Sequence, residues 1–244
     1  MDKSRATKDI CPAIAWLSHA DLLAAPTSRP LACCSRMPSD TSAPFEQPAF
    51  WDERYEADAD YIYGRRPNAT FAQLLDAQPP CRLLLVAEGE GRNAVYAAER
   101  GWTVTATDFS AGARDKALAL AAERGVTIDY QLADATAYAT DERFDAVTLV
   151  FLHLGPQQRA ATFRRYADLL APGGRLIVFL YHPDQLGRAS GGPKSVEWLV
   201  GDDELAYTFT GVLRTETLTR REVELDEGPL HRGPAVVTLY VGVN

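Results

Sequence analysis

Apolar and polar positions along this 244-residue chain change texture twice. From Met1 to about Gln47 there is no sustained periodicity, and Pro, Ser, Thr and Ala abound, the pattern of a disordered tail (residues 1–47). From Phe50 the chain turns dense in aromatics and charge, FWDERYEADADYIYGRRPNATF, before an amphipathic helix expected from about Thr70 to Ala77. From Leu83 short apolar runs alternate with segments of helical period. A first strand breaks into Glu88-Gly89-Glu90-Gly91, a helix spans about Arg92 to Arg100, and a second strand, Val104 to Thr107, ends in Asp108. A helix from about Ala111 to Arg124 and a strand near Thr127 to Leu132 follow, then a strand from Phe144 to Phe151 and a helix near Pro156 to Leu170. The turn signal Pro172-Gly173-Gly174 launches a fifth strand, Arg175 to Tyr181. Gly211 to Leu225 and Ala235 to Val243 alternate as strands around Asp226-Glu227-Gly228, with no helix between them.

Five β-α alternations predict an α/β fold with a mostly parallel sheet and helices on both faces, completed to seven strands by a C-terminal antiparallel hairpin. Residues 48–244 read as one domain: a preamble or lid (48–80), a ligand-binding core (81–182), and a C-terminal loop with the antiparallel strands (183–244). Translation starting at Met37 instead of Met1 would keep all of it.

Composition narrows the partners. A net charge of −8 argues against a nucleic-acid backbone as ligand, because nonspecific binding there rests on clustered Lys and Arg; a local basic patch around Arg159, Arg164 and Arg165 stays open. No apolar run reaches the roughly 18–20 residues that span a bilayer. The weakly apolar Ile10 to Leu17 is spoiled as an export signal by Asp9, His19 and Asp21, so a cytoplasmic protein is expected. Cys11, Cys33, Cys34 and Cys81 show no CxxC or metal-ligand spacing; free thiols are expected, with neither a metal site nor disulfide stapling.

The segment Leu83 to Ala94, LLLVAEGEGRNA, carries the candidate chemistry. Two glycines after a buried strand permit a sharp turn and close backbone approach to a ligand, and the next helix aims its free N–H groups at the same space. Asp108 lies 17 residues past Gly91 at the end of the next strand, placed to accept hydrogen bonds from ribose hydroxyls.

With these residues in view, the chain from about Phe50 to Asn244 resembles the Rossmann-like class I S-adenosylmethionine-dependent methyltransferases, and is similar to their tellurite-resistance and thiopurine methyltransferase-like group. The acid before GxG matches Glu88, Gly89 and Gly91; the acid ending the second strand matches Asp108; the Asp with a small neighbour after the third matches Asp134 and Ala135. AEGEGRNA, YIYGRRPNATF, HLGP at His153 to Pro156 and EGPLHRG at Glu227 to Gly233 point to the subgroup. The resemblance implies S-adenosylmethionine as cofactor, held by Glu88, Gly89, Glu90, Gly91 and Asn93 at its amino-acid end, by Asp108 and Phe109 at the ribose, and by Asp134 and Ala135 at the adenine. It implies a small-molecule methyl acceptor, such as a thiol or an oxyanion of selenium or tellurium, and names no oligomeric state.

GxGxx followed by Ala94 also satisfies a dinucleotide pattern, so a nicotinamide-dependent oxidoreductase is the competing reading, and a silent cofactor-binding protein a third. Glu88 decides toward the methyl donor, since a carboxylate there repels a pyrophosphate and suits an ammonium. His153, at the carboxyl edge of the fourth strand, is the candidate base for an O–H or N–H acceptor; an anionic acceptor needs none. His231 is equally an exposed hairpin residue, Asp145 either a structural cap or a ligand contact, and the three arginines either a solvated helical face or an anion-orienting group. The loop Gln185 to Pro193 is a cover over the acceptor or a plain crossover.

Overall fold

A computed structural model describes residues 46–57 and 60–244; the expected tail falls outside them apart from its last two residues. Seven strands run β1 (Arg82–Val86), β2 (Thr103–Asp108), β3 (Asp129–Leu132), β4 (Phe144–Val150), β5 (Leu170–Tyr181), β6 (Arg214–Asp226) and β7 (Arg232–Val243). Among the described residues the helices are α1 (Pro48–Glu56), α2 (Ala69–Asp76), α3 (Arg92–Glu99), α4 (Ala111–Glu123), α5 (Pro156–Ala167) and α6 (Asp202–Phe209). The sheet order is β3-β2-β1-β4-β5-β7-β6, parallel through β5, with β7 antiparallel to both its neighbours. This is the expected mixed sheet with its hairpin.

β1 shows why helices must cover both faces. Leu84 and Val86 pack with Phe163 and Tyr166 of α5 and Leu205 and Phe209 of α6, whereas Leu83 and Leu85 pack with Phe71, Val95 and Leu120 of α2, α3 and α4. Successive side chains leave opposite sides of a strand, so an unbroken apolar run is stable only between two layers. Each of these four side chains is at most 2% exposed, worth about 1.5–3 kcal/mol of burial apiece.

Five expectations need correction. The lid region begins as a helix, α1, and α6 lies where no helix was predicted. Pro172-Gly173-Gly174 interrupts β5 as a bulge rather than preceding it, since Phe144 pairs with Leu170 and Ala146 with Arg175. The helix expected to reach Leu170 stops at Ala167 because Leu170 is already in that ladder. Cys81 is disulfide-bonded, and the other three cysteines fall outside the described residues. Spacing along the chain says nothing of the roughly 3.5–4.5 Å Cβ separation that a bridge requires. No described helix is long and apolar enough to cross a membrane.

Candidate active site

The strand order reverses between β1 and β4, and such a reversal leaves a crevice beyond the carboxyl ends of the two strands. Both described non-glycine residues with positive φ stand there: Ala87 (φ 53°) just after β1 and Phe151 (φ 56°) just after β4. Such conformations cost on the order of 1–3 kcal/mol and persist only where the surroundings impose them. Phe151 is held by its N–H, which donates to the Phe179 carbonyl at 2.8 Å. Both residues line a cavity of about 430 Å³, in the range of roughly 300–1,000 Å³ usual for small-molecule sites.

One half of that cavity is the glycine turn with its acids. Gly89 (φ 64°) and Gly91 (φ 85°) take the left-handed turn the sequence predicts. The close approach they permit is to protein, however. A Cβ at Gly89 would lie 2.9 Å from the Tyr55 hydroxyl of α1, and one at Gly91 would meet the Ala117 Cβ and stand 2.8 Å from its Cα on α4. The second glycine therefore serves helix packing. Asp108 is 5% exposed; its Oδ2 accepts from Gly89 N at 3.0 Å and its Oδ1 from Ser110 N at 2.9 Å. Burial nonetheless lifts its carboxyl to about 6, against those backbone donors. Glu88 Oε1 accepts from Asn93 N (2.8 Å) and Ala94 N (2.7 Å), capping α3, while Oε2 has only the long 3.4 Å contact from Asn93 Nδ2. Burial raises Glu88 to about 7. Two carboxylates raised by burial fit a ligand that brings an ammonium and ribose hydroxyls, Glu88 Oε2 having lone-pair capacity left for it.

The remaining predicted cofactor residues divide. Asn93, Phe109, Asp134 and Ala135 border the cavity, Asp134 with its Oδ1 already accepting from Thr136 N at 2.7 Å. Glu90 borders it too, but its carboxylate is bound by Lys116 Nζ at 2.9 Å and Tyr63 N at 3.3 Å, which ties the preamble to α4.

The other half is built from elements far apart in sequence. Trp51, Arg54 and Tyr55 of α1 reach it, with Tyr63, Phe151, His153, Tyr181, Gly192, Pro193 and His231. α1 is fixed over the sheet end by Asp52, whose Oδ1 accepts from the Ser110 hydroxyl at the start of α4. His153 Nδ1 stands 2.9 Å from the Trp198 carbonyl oxygen, and its Nε2 is buried with no partner. Burial above all, with Arg159 and His231 nearby, lowers this imidazole to about 3, so it is neutral at physiological pH. His231 is 7% exposed rather than a hairpin tip, and its Nδ1 lies 3.8 Å from Glu227 Oε2. Glu227 in turn accepts from Arg92 at 2.7 Å and from Asn68 Nδ2 at 2.7 Å.

Open alternatives about charge resolve here. Arg159 is 2% exposed and clamps the chain around Trp198, donating to Glu204, to the Leu154 and Leu199 carbonyls and to the Glu197 carbonyl. Arg164, on the exposed side of α5, donates to the Thr208 carbonyl, and the half-buried Arg165 donates to the Ala135 carbonyl. Asp145 accepts from Arg82 N at the opposite edge of the sheet. Among the predicted aromatics Tyr61 is structural, its hydroxyl donating to the Lys116 carbonyl. Among the described residues no metal-binding cluster occurs.

Sheet order and the switch-point crevice with its acid-flanked glycine turn are those of the class I methyltransferase fold. A family model described as a methyltransferase domain matches residues 83–174. The chain is 30% identical over 157 residues to a demethylmenaquinone methyltransferase of Renibacterium salmoninarum, an alignment covering 62% of this chain and 63% of that protein; it thus spans less than two thirds of that relative's length. In structure it is similar to a Burkholderia thailandensis 1,6-didemethyltoxoflavin-N1-methyltransferase solved with 1,6-didemethyltoxoflavin and S-adenosylhomocysteine (TM-score 0.63, 18% identity, 85% of this chain and 93% of that one). It is also similar to TehB from Haemophilus influenzae (TM-score 0.62, 15% identity, 80% and 67%). At these identities the structural likeness speaks for the fold.

Proposed function

We propose that this protein transfers a methyl group from S-adenosylmethionine to a small-molecule acceptor. The observation that carries the reading is one cavity with two chemically unlike halves: buried acids around a glycine turn on one side, rings and neutral imidazoles on the other. Glu88 and Asp108 bind and orient the donor, whose sulfonium supplies an electrophilic methyl group. The rings exclude water, which helps any displacement in which charge is lost. Where the acceptor carries an O–H or N–H, His153 receives the proton. A relative named for demethylmenaquinone and a structural neighbour named for a toxoflavin precursor support a small acceptor. A thiol or an oxyanion of selenium or tellurium needs no base and belongs in the same test panel. Calorimetry decides between donors: S-adenosylhomocysteine is expected to bind and NAD not to. Tight NAD binding would return the oxidoreductase reading, and firm S-adenosylhomocysteine binding without transfer from methyl-labelled donor to any acceptor would leave a silent binding protein.

A further inference from the structure

Resting on the methyl-transfer reading, the acceptor half of the cavity narrows the chemistry of what is methylated. Six rings contributed from five places in the chain form a continuous lining: Trp51 of α1, Tyr63 of the preamble, His231 of the β6–β7 turn, Phe151 and His153 after β4, and Tyr181 at the end of β5. Their centroids are 6.5 Å apart for Trp51 and Tyr63, 4.5 Å for Tyr63 and His231, 4.6 Å for His231 and Phe151, and 4.7 Å for Phe151 and Tyr181. His153 stacks on Tyr181 at 5.6 Å with planes 17° apart. The rings touch one another and also border the cavity, where Phe151 is held in a left-handed conformation that a bulky residue otherwise avoids.

Charge removes the competitors. A cationic acceptor would meet Arg54 on the wall and the positive sulfonium of the donor. A small oxyanion of selenium or tellurium requires several strong donors, and of the two guanidiniums on the wall, Arg54 and Arg92, the second is already engaged by Glu227 and the Tyr63 carbonyl. Flat uncharged rings suit it, because they exchange water for offset and edge-to-face contact on every side. The neutral His153 adds one specific polar contact. Its Nδ1 faces a carbonyl, which only accepts, so the proton is on Nδ1 and the unpartnered Nε2 is a pure acceptor.

We propose that the chamber binds a planar, uncharged aromatic or heteroaromatic acceptor whose ring O–H or N–H donates to Nε2 of His153, and that this oxygen or nitrogen receives the methyl group. The ring atom's lone pair forms the bond to the methyl carbon, the carbon–sulfur bond of the sulfonium breaks with its electron pair going to sulfur, and the proton of the ring substituent passes to Nε2 and then to water. A weakly basic imidazole suffices, since the atom being methylated becomes strongly acidic as the bond forms.

The test is calorimetric titration of the protein saturated with S-adenosylhomocysteine, using 2-naphthol, 8-hydroxyquinoline and indole against cyclohexanol, 2-mercaptoethanol, selenite and tellurite. The planar protic rings are expected to bind at least tenfold more tightly than every other probe. Phe151→Leu should weaken them at least tenfold, and His153→Phe should erase the preference for 2-naphthol over 2-methoxynaphthalene, both with S-adenosylhomocysteine affinity within twofold of the parent. Tighter binding of selenite, tellurite or the thiol, no binding by any ring, or ring affinities unmoved by Phe151→Leu would each overturn the assignment. Failure of the parent to bind S-adenosylhomocysteine would instead sink the methyl-transfer reading beneath it.

Discussion

Nδ1 of His153 donates to the main-chain carbonyl of Trp198 across 2.9 Å, and that single contact decides which nitrogen can act as a base. Replacing His153 with Phe keeps a flat ring against Tyr181 and removes Nε2. For an O–H or N–H acceptor, kcat is expected to fall by about 10²–10⁴-fold, the usual worth of a positioned base. Because burial holds the imidazole at about 3, its titration should add no acidic limb to the kcat profile above about pH 5. Near-normal turnover of the Phe variant, measured at saturating donor, would remove His153 from the chemistry.

Donor affinity should depend on pH through the two buried carboxyls. Asp108 is raised from 3.8 to about 6 and Glu88 from 4.5 to about 7, each chiefly by burial. The folded protein therefore keeps protons that the unfolded chain gives up at lower pH, and ionising these groups costs stability as pH rises toward 6–7. An ammonium and ribose hydroxyls favour the ionised forms, so S-adenosylhomocysteine binding should tighten between about pH 5.5 and 7.5, level off above, and release protons. Titration in buffers of different ionisation enthalpy reads that release. Asp108→Asn should weaken binding by about 1.5–3 kcal/mol, the worth of a hydrogen bond to a charged group.

Gly91 tests the packing reading of the glycine turn. Gly91→Ala brings a Cβ onto Ala117 at a φ of 85°, and a loss of about 1–3 kcal/mol is expected from overlap, with roughly 1–2 more from the left-handed conformation. Ala117→Gly in the same chain should recover the overlap part only. If denaturant midpoints show no recovery, the strain lies in the turn and not between α3 and α4.

Arg92 and Glu227, both 7% exposed, join α3 to the β6–β7 turn beneath His231. Although burial alone pushes Glu227 up, His231 and Arg92 hold its carboxyl below the usual value. Glu227→Leu strands a buried guanidinium and should cost about 3–5 kcal/mol, whereas Arg92→Met with Glu227→Leu should cost much less. Chemical denaturation of the two variants compares them directly. Equal losses would mean that the pair's hydrogen bonds to Tyr63 and Asn68 matter more than its charge balance.

Local patterns were readable and long-range ones were not. β1, its turn, α3 and Asp108 are contiguous, and each step has its own signal: an apolar run, glycines at positive φ, a strand-end acid. α6 buries Leu205, Thr208 and Phe209 at helical spacing behind Asp202, Asp203 and Glu204. Those acids are a start signal, but eight residues are shorter than the window of about 11–18 in which periodicity stands out. α1 buries only Tyr55, so its sequence reads as exposed loop. His231, Tyr181 and Phe151 meet through three different strand ends, and no spacing along the chain records that meeting.

β7 is the last strand in chain order, yet it lies between β5 and β6. During synthesis β5 must wait with one edge open while the 50 residues between Tyr181 and Arg232 are added, on the order of 3–10 s at roughly 5–20 residues per second. Ile177, Phe179 and Tyr181 stay uncovered by β7 for that time. The nascent chain thus carries an open apolar strand edge, a template for pairing with other chains, until the hairpin arrives.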